Sequence, residues 1–322
     1  MTADSHGRAI RHVRISLTDR CQLRCRYCLP EEGVRLLDHA DILRYEEIVA
    51  FLEVAVSLGI SSARLTGGEP LLRRGAVSLV RDLARIPGLD DLSLTTNGLL
   101  LPDLAGPLRD AGLRRVNVGL SSLDPEAYRE ITRGGDLSVA LRGLESAVET
   151  GFRPVKANVV LLRGVNEDPA PFLDLTRRLP VEVRFIEHMP VGPVPSERYR
   201  VPISEHRTRL DALGPFEPAE RSRGVGPAEE AFRVPGAPGS FAVIPAASRE
   251  ICGRCNRLRL TSDGHIRPCL FSTREIDLKP ALRPRPDARR LAELLREAIA
   301  VKPEGMPDPA AARGRGMSQI GG

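Results

Sequence analysis

Between residues 13 and 189 the apolar positions switch period repeatedly. Short stretches alternating every second residue are followed by polar or Gly-rich residues, then by segments with apolar side chains three and four apart. The alternating stretches centre on Ile15, Leu65, Leu94, Val118, Val159 and Phe185 and predict strands. The intervening periodic segments, 45–57, 76–84, 104–111, 138–150 and 171–179, predict helices. Asp124-Pro125 adds an N-cap and a first helical turn before Glu126. Strands alternating with helices imply a parallel α/β sheet, and six such units are fewer than the eight of a closed barrel.

Within each strand one face is apolar and the other polar. Val13, Ile15 and Leu17 oppose Arg14, Ser16 and Thr18, and Val116, Val118 and Leu120 oppose Asn117, Gly119 and Ser121. Ser93, Thr95 and Asn97 share a face, as do Arg64 and Thr66, and Lys156 and Asn158. With the apolar faces under the helices, Arg14, Arg64, Lys156 and Arg184 point into a polar, basic lumen. Buried cations need anionic partners, so the lumen suits a large, phosphate-rich ligand. The reverse reading leaves these charges solvated on an open sheet.

The chain has 322 residues, 42% hydrophobic and 28% charged, enough for one large core or two domains. Its net charge of +5 favours anionic ligands. Aromatics make up only 4%, and no basic–aromatic platform of the kind that binds single-stranded nucleic acid is present. Only three of the 47 basic side chains are lysines, a bias that reads as genome composition. No run of about twenty apolar residues and no signal-peptide core is found, so a cytoplasmic protein without membrane contact is expected. Residues 1–12 read as an N-terminal arm and 13–212 as the partial barrel. Residues 213–240, rich in Pro, Gly and charge, read as a mostly irregular linker, and 241–322 as a C-terminal region.

All six cysteines fall into two groups. Cys21, Cys25 and Cys28, spaced C-x3-C-x2-C with Tyr27 before the last, suit three corners of a cubane iron–sulfur cluster whose fourth iron stays open. A zinc knuckle or three buried thiols are the bland alternatives. Gly67-Gly68-Glu69-Pro70 follows the second strand; its glycines allow close backbone approach to a ligand, and Glu69 could receive a ligand ammonium. Cys252, Cys255 and Cys269 again offer three thiolates, for a second cluster or, with His265, for zinc. Asp263-Gly264 signals a hairpin turn between them. The chain ends in Gly321-Gly322, a tail that would ordinarily be ignored.

The cysteine triad followed by Gly67-Gly68-Glu69-Pro70 resembles the radical S-adenosylmethionine superfamily. The second triad, Arg14 through Cys21, Arg64 through Pro70, Thr95-Thr-Asn-Gly98, Lys156, Arg184 through Pro190, Cys255-Asn-Arg-Leu-Arg259 and the Gly-Gly end are similar to the GTP 3′,8-cyclase family within it. That resemblance implies an incomplete (β/α)6 TIM-like barrel with a C-terminal extension carrying a second iron–sulfur cluster. It implies a homodimer making 3′,8-cyclo-7,8-dihydro-GTP from GTP, the first step of molybdenum cofactor biosynthesis, with a 5′-deoxyadenosyl radical taking the ribose 3′-hydrogen. Two 4Fe–4S clusters, one on Cys21, Cys25 and Cys28 and one on Cys252, Cys255 and Cys269, and S-adenosylmethionine are the implied cofactors. Tyr27, Gly68, Glu69, Gly119, Ser121 and Met189 would bind S-adenosylmethionine. Arg14, Arg64, Thr95, Lys156, Arg257, Leu258 and Arg259 would bind GTP, and Gly321 and Gly322 would enter the active site. An electron donor such as flavodoxin or ferredoxin and a downstream cyclic pyranopterin monophosphate synthase are the implied partners. One position departs from the family pattern: Gly119-Leu120-Ser121 stands where Ser-Leu-Asp is expected. A serine bonded to S-adenosylmethionine is therefore missing, and Ser121, Ser122 or a water is expected to replace it.

Overall fold

The computed structural model describes residues 2–189, 191, 197–220, 230–245, 249–307 and 315–321. The first half alternates strand and helix: β1 (His12–Ser16), α1 (Tyr45–Ser57), β2 (Ser62–Thr66), α2 (Ala76–Ala84), β3 (Asp91–Thr96), α3 (Leu101–Asp110) and β4 (Arg115–Gly119). It continues with α4 (Pro125–Thr132), α5 (Leu137–Glu149), β5 (Val155–Leu161), α6 (Ala170–Arg178) and β6 (Val181–Glu187). The rest comprises α7 (Ile203–Asp211), β7 (Glu217–Pro218), β8 (Glu230–Arg233), β9 (Ser240–Ile244), α8 (Arg249–Gly253), β10 (Arg257–Leu260), β11 (His265–Arg267) and β12 (Ile276–Asp277). Helices α9 (Lys279–Leu282), α10 (Ala288–Ala300) and α11 (Met317–Ile320) complete it.

All six expected strand centres lie inside β1–β6, which pair in parallel and in chain order. Asp124 caps α4 by accepting a hydrogen bond from the Ala127 amide at 2.8 Å. The sheet does not stop at six strands. β10 joins β1 in parallel and β9 joins β6 in parallel, so the run β10-β1-β2-β3-β4-β5-β6-β9 holds eight parallel strands. β9 and β10 do not pair with each other; antiparallel β8–β7 and β11–β12 extend the two sides instead. The C-terminal region is thus part of the same sheet. The stretch expected to be a mostly irregular linker contributes β7 and β8, because the backbone of β9 leaves an edge for β8 to pair with.

The two faces of the sheet sort as the alternation requires. Val13, Ile15, Leu17, Leu65, Leu94, Val116, Val118, Leu120 and Val159 are buried in one apolar core with the inner faces of α1, α2, α3 and α5. The polar face encloses the lumen. Among the described residues no helix is long and apolar enough to cross a membrane.

Candidate active site

A cavity of about 430 Å³ lies on the polar face, lined by Arg14, Arg64, Thr66, Thr95, Asn158 and Arg184 from the strands and by all six cysteines. No cysteine is in a disulfide, and each is partly exposed toward this space.

The first triad is held by backbone pairing rather than by side-chain packing. Arg24 and Arg26 donate amide hydrogen bonds to the carbonyls of Thr132 (3.1 Å) and Ile131 (2.9 Å) at the end of α4. Arg133, in the left-handed region at φ 53°, turns its guanidinium back onto the carbonyls of Arg24 (3.0 Å) and Leu29 (2.9 Å). Burial raises all three thiols: Cys21 somewhat, Cys25 to about 12 and Cys28 well above the usual thiol range. The loop therefore stores protonated sulfurs that a metal must deprotonate on binding.

Gly67 and Gly68 line the cavity and are required by the chain itself. A Cβ on Gly68 would sit 2.3 Å from the Arg20 carbonyl, and one on Gly67 (φ +140°) 2.4 Å from that of Thr18. Bare glycines let Gly68 and Glu69 donate to Thr18 (2.7 Å) and Arg20 (2.8 Å), fixing the segment that leads into Cys21. Glu69 is buried and does not face the cavity. Its carboxylate accepts from Leu71 N (3.0 Å), Thr96 Oγ1 (2.8 Å) and Asn97 N (2.8 Å), while burial raises it to about 7. It braces the loop after β2 against the end of β3. Tyr27, Gly68, Gly119 and Met189 line the cavity. Ser121 is buried behind them and donates to the Tyr27 hydroxyl at 3.0 Å. Ser122 accepts from the Asp124 amide at 3.1 Å.

The expected cations divide into two sets. Arg14, Arg64, Arg184, Arg257 and Arg259 line the cavity. Desolvation and then the charges of Arg259, Arg64, Arg257 and Arg184 press Arg14 down, and its Nε has no hydrogen-bond partner. Arg259 is lowered to about 10 by burial and then by Arg257. Guanidinium stays charged at these values, so the pressure is a demand for anions. Lys156 is placed differently. It is 1% exposed and ion-paired with Glu182 at 3.0 Å, as its register on β5 opposite Glu182 of β6 requires. Glu182 also takes Arg184 Nε at 2.7 Å, so a protein carboxylate supplies part of what was assigned to a ligand. Leu258 is likewise not brought in: between Arg257 and Arg259 on β10, its side chain falls on the opposite face, in the core.

The second triad lies across the same cavity, with Cys252 on α8 and Cys269 just beyond β11. Burial and the neighbouring thiols raise Cys252. Burial also acts on Cys255, yet the charges of Lys302 and Arg257 and their hydrogen bonds outweigh it, so Cys255 is lowered. His265 is not among the lining residues. It turns its Nδ1 to Asp263 at 3.3 Å, which leaves the zinc arrangement of three cysteines and this histidine unsupported.

The C-terminal segment closes the cavity. Met317 and Ser318 line it, Ile320 packs against Val191 and Phe271, and Arg259 Nη1 donates to the Gly321 carbonyl. Gly322 lies outside the described residues. Asn97, read from the sequence only as sharing a face with Thr95, reaches Cys21 Sγ with its amide (3.8 Å), whereas Glu182 and Lys302 were not singled out. Only Glu182 had a local signal, two positions from Arg184 on one strand face.

A partial parallel barrel with a three-cysteine loop after its first strand is the radical S-adenosylmethionine fold, and residues 15–175 match the family model for the Radical SAM superfamily. Such a protein carries a 4Fe–4S cluster and binds S-adenosylmethionine. Residues 181–307 match the model Molybdenum Cofactor Synthesis C. The chain is 50% identical over 330 residues to the GTP 3′,8-cyclase of Pelotomaculum thermopropionicum and 47% identical over 322 residues to that of Moorella thermoacetica, covering 99% of both chains in each case. It belongs to the GTP 3′,8-cyclase family. Among solved structures, Streptococcus suis SuiB bound to S-adenosylmethionine superposes with TM-score 0.62 at 14% identity, over 84% of this chain and 63% of that one. The FeFe-hydrogenase maturase HydG from Carboxydothermus hydrogenoformans gives 0.50 at 16%, over 66% and 52%. Both likenesses concern the fold.

Proposed function

We propose that this chain converts GTP to 3′,8-cyclo-7,8-dihydro-GTP, the first step of molybdenum cofactor biosynthesis, using one cluster on each cysteine triad. The observation that carries the proposal is the convergence of two free three-thiol sets and five arginines on one cavity. Cys21, Cys25 and Cys28 would hold the cluster that, when bound and reduced, would supply the electron for cleaving S-adenosylmethionine and so the radical chemistry that joins ribose C3′ to guanine C8.

The chain's own residues do the rest. Tyr27, Gly68, Gly119 and Met189 form the wall for S-adenosylmethionine. Arg14, Arg64, Arg257 and Arg259 hold the triphosphate, for which planar guanidinium forks suit bidentate contact. Thr95 stands beside them. Lys156 reaches the triphosphate only by sharing or leaving Glu182. Cys252, Cys255 and Cys269 would hold the second cluster, which would bind the guanine and supply the electron that, with a proton, completes the 7,8-dihydro product. Met317 to Gly321 exclude water from the radical, and Gly321 enters beside the substrate. A homodimer, reduction by a flavodoxin or ferredoxin, and transfer of the product to a cyclic pyranopterin monophosphate synthase belong to the same reading.

The test is anaerobic reconstitution followed by incubation with GTP, S-adenosylmethionine and dithionite. About eight irons per chain and a cyclised nucleotide are expected. Binding of about four irons removes the second cluster, and 5′-deoxyadenosine formed without a cyclised nucleotide removes GTP as substrate.

A further inference from the structure

Lys302 follows α10, where nothing local in the sequence marks it, yet it is 2% exposed and lines the cavity. Its ammonium donates to the carbonyls of Arg257 (2.8 Å) and Pro268 (2.7 Å). These carbonyls flank the second triad: Arg257 follows Cys255 by two residues, and Pro268 precedes Cys269. The Lys302 charge also acts on Cys255, two residues before the Arg257 carbonyl, and lowers its thiol. Arg8 fastens the same corner from the N-terminal arm, with Nη1 on Cys252 O (2.7 Å) and Nη2 on Pro303 O (2.7 Å). The three cysteines come from two segments at the open end of the antiparallel β10–β11 pair, and one ammonium bonds both.

The charge needs its own explanation. A buried ammonium is costly unless an anion faces it, and among the described residues Lys302 makes no ion pair with a carboxylate. Lys156 has Glu182 and Lys279 has Asp41. The anion that suits Lys302 is the thiolate set itself.

We infer that Lys302 is a positioning residue for the Cys252, Cys255 and Cys269 site, fixing the spacing of its two segments and supplying the positive charge that favours the reduced state of the group held there. This rests on the second-cluster reading above. A cation lining the same cavity as the sulfurs stabilises the more negative, reduced form, so its removal makes the potential more negative.

The test uses the reconstituted full-length holoenzyme and three variants: Lys302→Gln, which keeps a donor and loses the charge, Lys302→Met, which loses both, and Lys302→Arg. A redox titration followed by EPR and the rate of iron loss to a chelator are measured. In Lys302→Gln one of the two couples should move to lower potential while the other stays. In Lys302→Met half of the iron should be lost at least several-fold faster than in the parent, and Lys302→Arg should restore the potential. Parental potentials and iron-loss rates in both Lys302→Gln and Lys302→Met would overturn the inference, as would equal effects on both couples. If the parent itself binds only about four irons, the second-cluster reading has failed and Lys302 falls with it.

Discussion

Gly119→Ser places at the end of β4 the serine expected from the sequence resemblance and offers the sharpest test of how this chain holds S-adenosylmethionine. Gly119 lines the cavity, and a Cβ built on it meets only the Thr96 carbonyl, at an ordinary 3.8 Å. It is not among the positive-φ glycines, so serine adopts the same backbone without strain. Ser121 already donates to the Tyr27 hydroxyl, and Ser122 accepts from the Asp124 amide. The added hydroxyl therefore gains a hydrogen bond to a charged ligand, worth about 1.5–3 kcal/mol, or roughly tenfold to a hundredfold in affinity. Equilibrium binding of S-adenosylmethionine to the reconstituted enzyme measures this directly. An unchanged or weaker affinity would refute the reasoning and point to a water that the serine displaces. Ser121→Ala gives the complementary result. It should weaken binding only severalfold, through loss of the Tyr27 hydroxyl's partner.

Three further outcomes are expected. Gly321→Ala places a Cβ 2.3 Å from Thr66 Oγ1 at φ +77°, a region that costs a side chain about 1–2 kcal/mol; kcat should fall at least ~10-fold with S-adenosylmethionine affinity unchanged, and a parental kcat would show the tail to be dispensable. Glu182→Gln leaves Lys156 and Arg184 short of a buried carboxylate, a loss of about 3–5 kcal/mol that should lower the thermal midpoint by roughly 5–10 °C; calorimetry showing no shift would mean the cations find anions elsewhere. His206 is fully buried against Phe185 (ring centroids 4.5 Å), and burial lowers its pKa to about 4. The unfolded chain then takes up the proton first as pH falls from 6.5 toward 4, so stability drops by about 3 kcal/mol over that window, and His206→Phe should remove that part of the acid sensitivity in thermal unfolding.

The strands β1–β6 were legible because each carries its own alternation, and α1 and α2 because their apolar spacing runs uninterrupted from end to end. β9 and β10 were not assigned to the parallel run. The alternation of Arg257-Leu258-Arg259-Leu260 is the same whichever strand it joins, and only the three-dimensional edge beside β1 decides. Both triads could be read because metal-ligand spacing is local. Glu182 could not be matched to Lys156, since that needs the β5–β6 register. Lys302 had no pattern at all: a single lysine after a helix looks like any solvated C-terminal cation. The glycines of Gly67-Gly68 were seen, but their reason lay in the chain's own Thr18–Arg20 backbone.

The division of the cations bears on how substrate and tail share the cavity. Glu182 offsets one of the two charges at Lys156 and Arg184, and Arg64, Arg184, Arg257 and Arg259 still press on Arg14. Like charges in a buried lumen repel more strongly than in water, and the carbonyl dipole of Gly321 on Arg259 is no substitute for a full negative charge. An anion is therefore the stronger partner for this cluster. A guanidinium has five donors, and one bond to Gly321 leaves Arg259 able to grip a phosphate at the same time. Anion binding and tail docking then reinforce each other: a phosphate removes the repulsion that tends to push Arg259 away, and an Arg259 held still keeps the Gly321 carbonyl in place. The tail should accordingly be better protected from carboxypeptidase when GTP is bound than when it is absent.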